Sequence, residues 1–356
     1  MEWTLPRIRR DLCTFDLYPP HVKAASQSAY SGKVFQDELP DGVRAIGTHS
    51  GAFHSDEALA ISLLRSLAAY RDYAIVRTRN DDILSKCDIV VDVGAEYDPA
   101  KKLFDHHQKS FTETFDDHHK TKLSSAGLVY KHFGRDIIRA LCPHPLSDTE
   151  LQVVYRRMYD NFVEEIDGVD NGIDPFCGER NYSVTTGLSS RIKRLSIPWN
   201  QQSSTEQELN RFRLAMSMML EEFAERLYGQ TDVFLPAREI VVEALDKAKT
   251  VHPSKEIVVI HQDCPFMDHL MELEKERRIE GRTKFVLVHN KDDSWRVRAI
   301  NLKQGSFALR QKLLPHFCGL RDDELSKACG IANCVFVHSS GFMGINKTFD
   351  GALQMA

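Results

Sequence analysis

Short apolar runs and amphipathic stretches alternate along most of this chain, and their spacing sets the first expectations. Residues 43–48 (Val-Arg-Ala-Ile-Gly-Thr) read as a strand. Residues 56–70 carry Leu59, Leu63 and Leu67 at helical spacing, which predicts a helix. A strand over 73–77 and a short helix over 81–86 follow. Residues 88–94 (Asp-Ile-Val-Val-Asp-Val-Gly) read as a buried parallel strand ending in glycine, and 102–105 as one more short strand. Strand and helix in turn are the sequence form of a doubly wound α/β layer. Helical stretches over 124–133 and 148–169 come next, with Ser147 or Asp148 as N-cap of the second.

The rest of the chain is organised on a smaller scale. Segment 196–206 is polar and holds a proline, so the domain boundary is placed there. This makes 44–200 one domain and 201–356 a helical connector with a C-terminal domain. A helical pair over 207–228 and 231–249 precedes strands at 256–261, 284–289, 295–299 and 333–338, then the glycine-bearing tail from Ser339 to Gly344. Residues 1–43, with Pro19-Pro20 and the turn Leu39-Pro40-Asp41-Gly42, read as an N-terminal extension.

Composition narrows the class. At 356 residues, two domains are the default. A net charge of -5 excludes a uniformly basic nucleic-acid coat, though not a local basic channel. The eight cysteines form no C-x-x-C pair and read as free thiols of a reducing compartment. No apolar run approaches the roughly 18 residues of a membrane span, so no membrane partner is expected. An intracellular location follows: mitochondrion, nucleus or cytoplasm. Arg7, Arg9 and Arg10 leave a transit peptide open.

Four clusters carry candidate chemistry. They are His49 to Glu57 after the first strand, Asp92 closing the strand 88–94, Asp105-His106-His107 closing 102–105, and Asp167 to Gly172 ending a helix. In an open α/β sheet the carboxyl ends of the strands form the crevice where ligands bind. Imidazole and carboxylate groups delivered there can hold two divalent ions about 3.5–4 Å apart. Mixed N and O ligands suit manganese, with magnesium as the second possibility. Each cluster alone is weak; their joint order carries the reading. Asp117-His118-His119 repeats the triplet twelve residues later in a polar stretch that closes no strand, and reads as surface. Met216 and Met219 read as core filler, and His261 and His289 as buried or capping.

The order His…His-x-Asp, Asp, Asp-His-His, then a late Asp resembles the DHH phosphoesterase superfamily. Longer stretches are similar to the melanocyte-proliferating-gene-one family of nucleases: residues 47–60, 104–108, 121–130, 162–173 and His338-Ser339-Ser340-Gly341-Phe342. The likeness departs at Ile345, where the family has a glycine. The resemblance implies an α/β fold, a DHH-type parallel-sheet domain with helices on both faces plus a smaller C-terminal α/β substrate-binding domain. It implies one metal on His49, His54 and Asp92, and a second on Asp56, Asp92, His106 and a late Asp, with Asp170 favoured over Asp167. His107 would face the phosphate, and Asp105 would orient the His pair. For substrate, Arg296, Arg298, Arg310 and Lys347 are candidate phosphate contacts, and His338, Ser339 and Gly341 offer close backbone approach. The activity implied is a 3′-to-5′ exonuclease on RNA or short oligonucleotides. A phosphoesterase on small substrates (cyclic dinucleotides, pyrophosphate) and a non-catalytic nucleotide-binding regulator remain as alternatives. Oligomeric state is left open.

Overall fold

The computed structural model describes residues 31–179 and 182–356. Arg7, Arg9, Arg10 and Cys13 lie outside them. The chain divides into two compact units, one ending at Gln230 and one running from Thr231 to Ala356. Among the described residues no helix is long and apolar enough to cross a membrane. The described cysteines are free thiols.

The first unit is built on six strands: β1 (Val34–Gln36), β2 (Ala45–Thr48), β3 (Ala74–Arg77), β4 (Ile89–Val91), β5 (Tyr97–Asp98) and β6 (Leu103–Phe104), in the order β1-β3-β2-β4-β6-β5. All neighbours are parallel except β5 and β6. Every residue of β2, β3 and β4 is buried, as a parallel sheet covered on both faces demands. That double burial is why residues 88–94 read as a continuous apolar run. The expected α/β layer is present. Two strands were missed: the two-residue β5, and β1, which falls inside the stretch read as an extension and pairs with β3 through Val34 and Ile75. At three residues it is too short to show a period.

Among the described residues this unit also has helices α1 (Ser55–Ser66), α2 (Asp81–Leu84), α3 (Ser125–Leu141), α4 (Asp148–Met158), α5 (Glu164–Asp170), α6 (Leu188–Lys193) and α7 (Thr205–Tyr228). In α1 every residue but Ser66 is buried; it packs on α3 and α7. Met216 and Met219 of α7 are fully buried, as core filler should be. The single helix expected over 148–169 is interrupted by a π-helical turn at Tyr159–Val163 between α4 and α5. Ser147 caps α4, its hydroxyl accepting the Glu150 N–H at 3.2 Å.

The second unit holds α8 (Leu235–Asp246), α9 (Ala248–Val251), β7 (Ile257–Ile260), α10 (Phe266–Glu276), β8 (Phe285–His289), β9 (Trp295–Ala299), α11 (Asp322–Cys329), β10 (Cys334–Val337), β11 (Met343–Asn346) and α12 (Phe349–Met355). Its five strands run β10-β11-β9-β8-β7, with only β7 and β8 parallel. Strict alternation sorts the side chains. Ile257, Val259, Phe285 and Leu287 enter one core, while Val258, Ile260, Val286 and Val288 enter the other. Strand β11 begins within the stretch read as a glycine-bearing tail, and helix α12 follows it. Gly344 belongs there because a Cβ would meet Met355 at 2.9 Å and Leu313 at 3.0 Å.

The packing places each of the basic candidates. Arg310 is buried against Glu274 at 2.7 Å, so it is a structural cation, not a free phosphate contact. Arg296 pairs with the exposed Asp263 at 2.7 Å. Arg298 lies 4.4 Å over the Phe342 ring, and one of its guanidinium nitrogens, Nη1, is buried without a hydrogen-bond partner. Lys347, His338 and Ser339 are exposed, and Gly341 takes φ +72° in the β10–β11 turn. His261 is exposed rather than buried, its ring edge against Trp295; His289 stacks on the same indole at 4.7 Å. Removing one partner of a buried ion pair strands the other. Arg310→Ala is therefore expected to lose about 3–5 kcal/mol in urea denaturation, against less than about 1 kcal/mol for Arg296→Ala.

Candidate metal centre

Three parallel strands of the first unit end beside one another, and each hands over a ligand-type side chain. Strand β2 leads into His49, β4 into Asp92, and β6 into Asp105, His106 and His107. The N-terminus of α1 adds Asp56 and Glu57, preceded by His54, and the last residue of α5 is Asp170. His49, His54, Asp92, Asp105, His106, His107 and Asp170 line one cleft of about 850 Å³.

The groups are close. His49 Nε2 is 3.1 Å from Glu57 Oε1 and 3.3 Å from Asp92 Oδ2. His106 Nε2 is 3.4 Å from Asp92 Oδ1 and 3.0 Å from Asp170 Oδ2, but neither approach is aligned as a hydrogen bond. His106 Nε2, Asp92 Oδ1 and Asp56 Oδ1 are all buried without a hydrogen-bond partner. Ligand atoms of His49, His54, Glu57 and Asp92 lie within 4.8 Å of one another, as do those of His54, Asp56 and Asp170. Buried acceptors aimed past each other are costly unless something satisfies them. A divalent cation fits that demand, and the donor set fits the cation.

The charge balance says the same. Burial, with Asp92, Asp170 and Glu57 nearby, pushes the Asp56 carboxyl well above the carboxylate range. Burial would lower both histidines, yet Asp92 and Glu57 lift His49 to about 10, and Asp170 and Asp92 lift His106 to about 9. Burial would raise Asp92, but His106 and His49 hold it below its ordinary range. Without metal, protons on two imidazoles supply the missing positive charge.

Local structure fixes each donor. Asp92 turns out of β4 at φ +59°, a left-handed conformation that Asp tolerates better than most residues. Ser125 donates to Asp56 at 2.7 Å. The Glu57 carboxylate accepts the His54 N–H at 2.9 Å, tying the loop to the helix. Asp105 Oδ1 accepts from the His106 N–H at 2.8 Å and from His107 Nδ1 at 2.6 Å, and its Oδ2 accepts the Ala95 N–H at 2.6 Å. Its carboxylate is occupied in shaping the triplet, which leaves His107 Nε2 free of it. Buried Arg77 donates to the Gly51 carbonyl at 2.8 Å and lies 4.4 Å over Phe212, holding the His49–His54 loop from behind.

Asp167 sits apart from the cluster, in a cradle at the start of α3. Its carboxylate accepts from the Ser124 N–H and hydroxyl, the Gly127 N–H and the Tyr159 hydroxyl, at 2.7–3.0 Å. The segment Ser124-Ser125-Ala126-Gly127 is thereby explained. Glycine is required because a Cβ at 127 would lie 2.3 Å from Asp167 Oδ2. Burial raises this carboxyl to about 7 against the pull of its donors. Of the two late carboxylates, only Asp170 reaches the cluster. In the repeated triplet Asp117 and His118 are exposed. His119 is less of a surface group than its sequence suggests: its ring is held by Asp116 at 2.6 Å and Asp160 at 2.9 Å.

Two participants were given no role in the sequence reading: Glu57, although inside the first cluster, and Arg77. Glu57 could have been found, since a Glu three residues after a helix N-cap is capping-box spacing. Arg77 left no signal, because nothing in a strand's alternation marks an arginine as buried.

The family model for MYG1-type exonucleases, described as Uncharacterised protein family (UPF0160), matches residues 45–356. The chain is 44% identical to the MYG1 exonuclease of Bos taurus over 347 residues, 96% of this chain and 90% of that protein. It is 43% identical to the MYG1 exonuclease of Homo sapiens over 362 aligned positions, 98% of this chain and 96% of that one. Identity to the MYG1 protein of Dictyostelium discoideum is 45% over 315 residues, 87% and 94% of the two chains.

The two late carboxylates have separable fates. Asp170→Ala is expected to weaken manganese binding in calorimetry with little change in melting temperature. Asp167→Ala should instead lose stability, at about 1–3 kcal/mol for each buried donor left unpaired, while the folded fraction still binds metal. The raised histidines give a pH signature. Their stabilising protons are fully held below about pH 6.5, the unfolded value, and lost as pH rises through about 9 and 10. Metal-free protein should therefore melt at lower temperature over that window, whereas manganese affinity should rise across it as ion and protons compete. Thermal melts with and without manganese from pH 6 to 10 test both signs.

Proposed function

The chain belongs to the MYG1 family, and from that premise we propose that it is a metal-dependent phosphodiester hydrolase, a 3′-to-5′ exonuclease acting on RNA with two divalent ions, manganese foremost and magnesium second. The exonuclease names carried by the bovine and human relatives support the nuclease class. The observation that carries the reading is the group of buried, unsatisfied donor atoms on Asp56, Asp92 and His106 at the carboxyl ends of the sheet. In this DHH-type reading His49, His54 and Asp92 hold one ion, with Glu57 in reach. Asp56, Asp92, His106 and Asp170 hold the other, the two oxygens of Asp92 facing His49 and His106 separately.

Bound divalent ions supply a lowered pKa for an attacking water and neutralise charge developing at phosphorus. The chain's own contribution is to hold its donors rigidly and to move protons. Asp105 fixes His107 through Nδ1, which leaves Nε2 to donate to a phosphoryl oxygen or to the leaving group. Because Asp105 is itself pinned by backbone N–H groups, the imidazole keeps its orientation. A second reading, cleavage of short or cyclic nucleotides, is favoured by the cleft of about 850 Å³, which falls within the range of small-molecule sites.

His106→Ala should lose manganese binding and nucleotide release together, since its ring faces both Asp92 and Asp170. His118→Ala should change neither, because that side chain is exposed. Calorimetry and end-labelled RNA, DNA and dinucleotide substrates read this directly; equal loss in both variants would overturn the assignment.

A further inference from the structure

Three basic residues share the cleft with the acidic cluster and belong to neither ligand set. Arg79 follows β3, Lys122 precedes α3 and Lys193 ends α6; all line the cleft. Some cations elsewhere on this unit pair with carboxylates, as Arg44 does with Asp88, Lys101 with Glu96, Lys131 with Glu113 and Arg226 with Glu222. Arg79, Lys122 and Lys193 form no ion pair among the described residues. Arg79 Nη2 comes within 3.4 Å of His49 Nδ1. That ring nitrogen also lies 3.2 Å from the Ser50 carbonyl. Lys122 rests 5.5 Å from the Phe111 ring centroid.

Charge accounting gives these cations a use. Two divalent ions would offset all but one of the charges on Asp56, Glu57, Asp92, Asp105 and Asp170. Three further cations at the same cleft then make it net positive toward an incoming ligand. A single scissile phosphate is served by the ions and His107, so the basic trio is surplus to it. We propose that Arg79, Lys122 and Lys193 form a second anion subsite that holds a phosphate flanking the scissile one. The substrate class is then a nucleotide chain end carrying at least two phosphates, in preference to a simple diester. This rests on the hydrolase reading above.

The test compares wild type with the double variant Lys122→Gln/Lys193→Gln. The substrates are a 5′-phosphorylated thymidine dinucleotide and bis(p-nitrophenyl) phosphate, which has one phosphorus. The ratio of kcat/KM for the dinucleotide to that for the chromogenic diester should fall on the order of tenfold, or about 1.4 kcal/mol, with manganese affinity retained. Dinucleotide turnover should also lose part of its salt dependence. An unchanged ratio overturns the subsite. A second measurement keeps the two readings apart: fluorescence anisotropy of a labelled dinucleotide in calcium. If wild type binds it and the double variant does not, while neither cleaves any substrate in manganese, the subsite stands and the hydrolase reading fails. Equal binding by both proteins removes the subsite whatever the turnover.

Discussion

Packing four carboxylates and two imidazoles, most of them buried, against one another sets the terms for the whole first unit. Asp56 and Glu57 are fully buried, and Asp92, His49 and His106 nearly so. Like charges at such range in a low-dielectric setting cannot all stay ionised without a compensating cation. The metal-free chain answers with protons on His49 and His106 and with a raised Asp56. A pair of divalent ions would answer the same demand and free those protons.

The fold meets this demand by bringing rigid elements together. Parallel strands place their carboxyl ends side by side, so three residues distant in sequence become neighbours without any long loop. The remaining pieces stop the donors from relaxing. Arg77 grips the Gly51 carbonyl, Glu57 ties down the His54 N–H, and Ser125 restrains Asp56. Asp167 acts one layer back: its carboxylate takes free N–H groups at the start of α3, where a negative group also complements the helix dipole. The π-helical turn before α5 includes Tyr159, whose hydroxyl completes that cradle.

Identical triplets serve different ends. Asp105-His106-His107 closes a buried strand, where Asp105 organises one imidazole toward the carboxylate cluster and another toward the open cleft. Asp117-His118-His119 lies in a turn, where His119 is pinned between Asp116 and Asp160 and becomes a structural link between them. Environment, not residue type, assigns the role.

Sequence by itself determined the alternation of strand and helix, the apolar core of β2 to β4, and which His and Asp residues cluster at strand ends, because burial on a sheet leaves a readable apolar pattern. Capping chemistry was legible too, at Ser147 and in retrospect at Glu57. Tertiary structure alone decided that Asp170 and not Asp167 faces the cluster, since residues three apart on one helix look alike until their partners are known. It alone buried Arg77 and Arg310, two charges that pattern would leave in water, by supplying a carbonyl with an aromatic face and a carboxylate. Short strands such as β1 and β11 stayed hidden for a related reason. Their stability comes from neighbours remote in sequence, and three or four residues carry too little period to announce them.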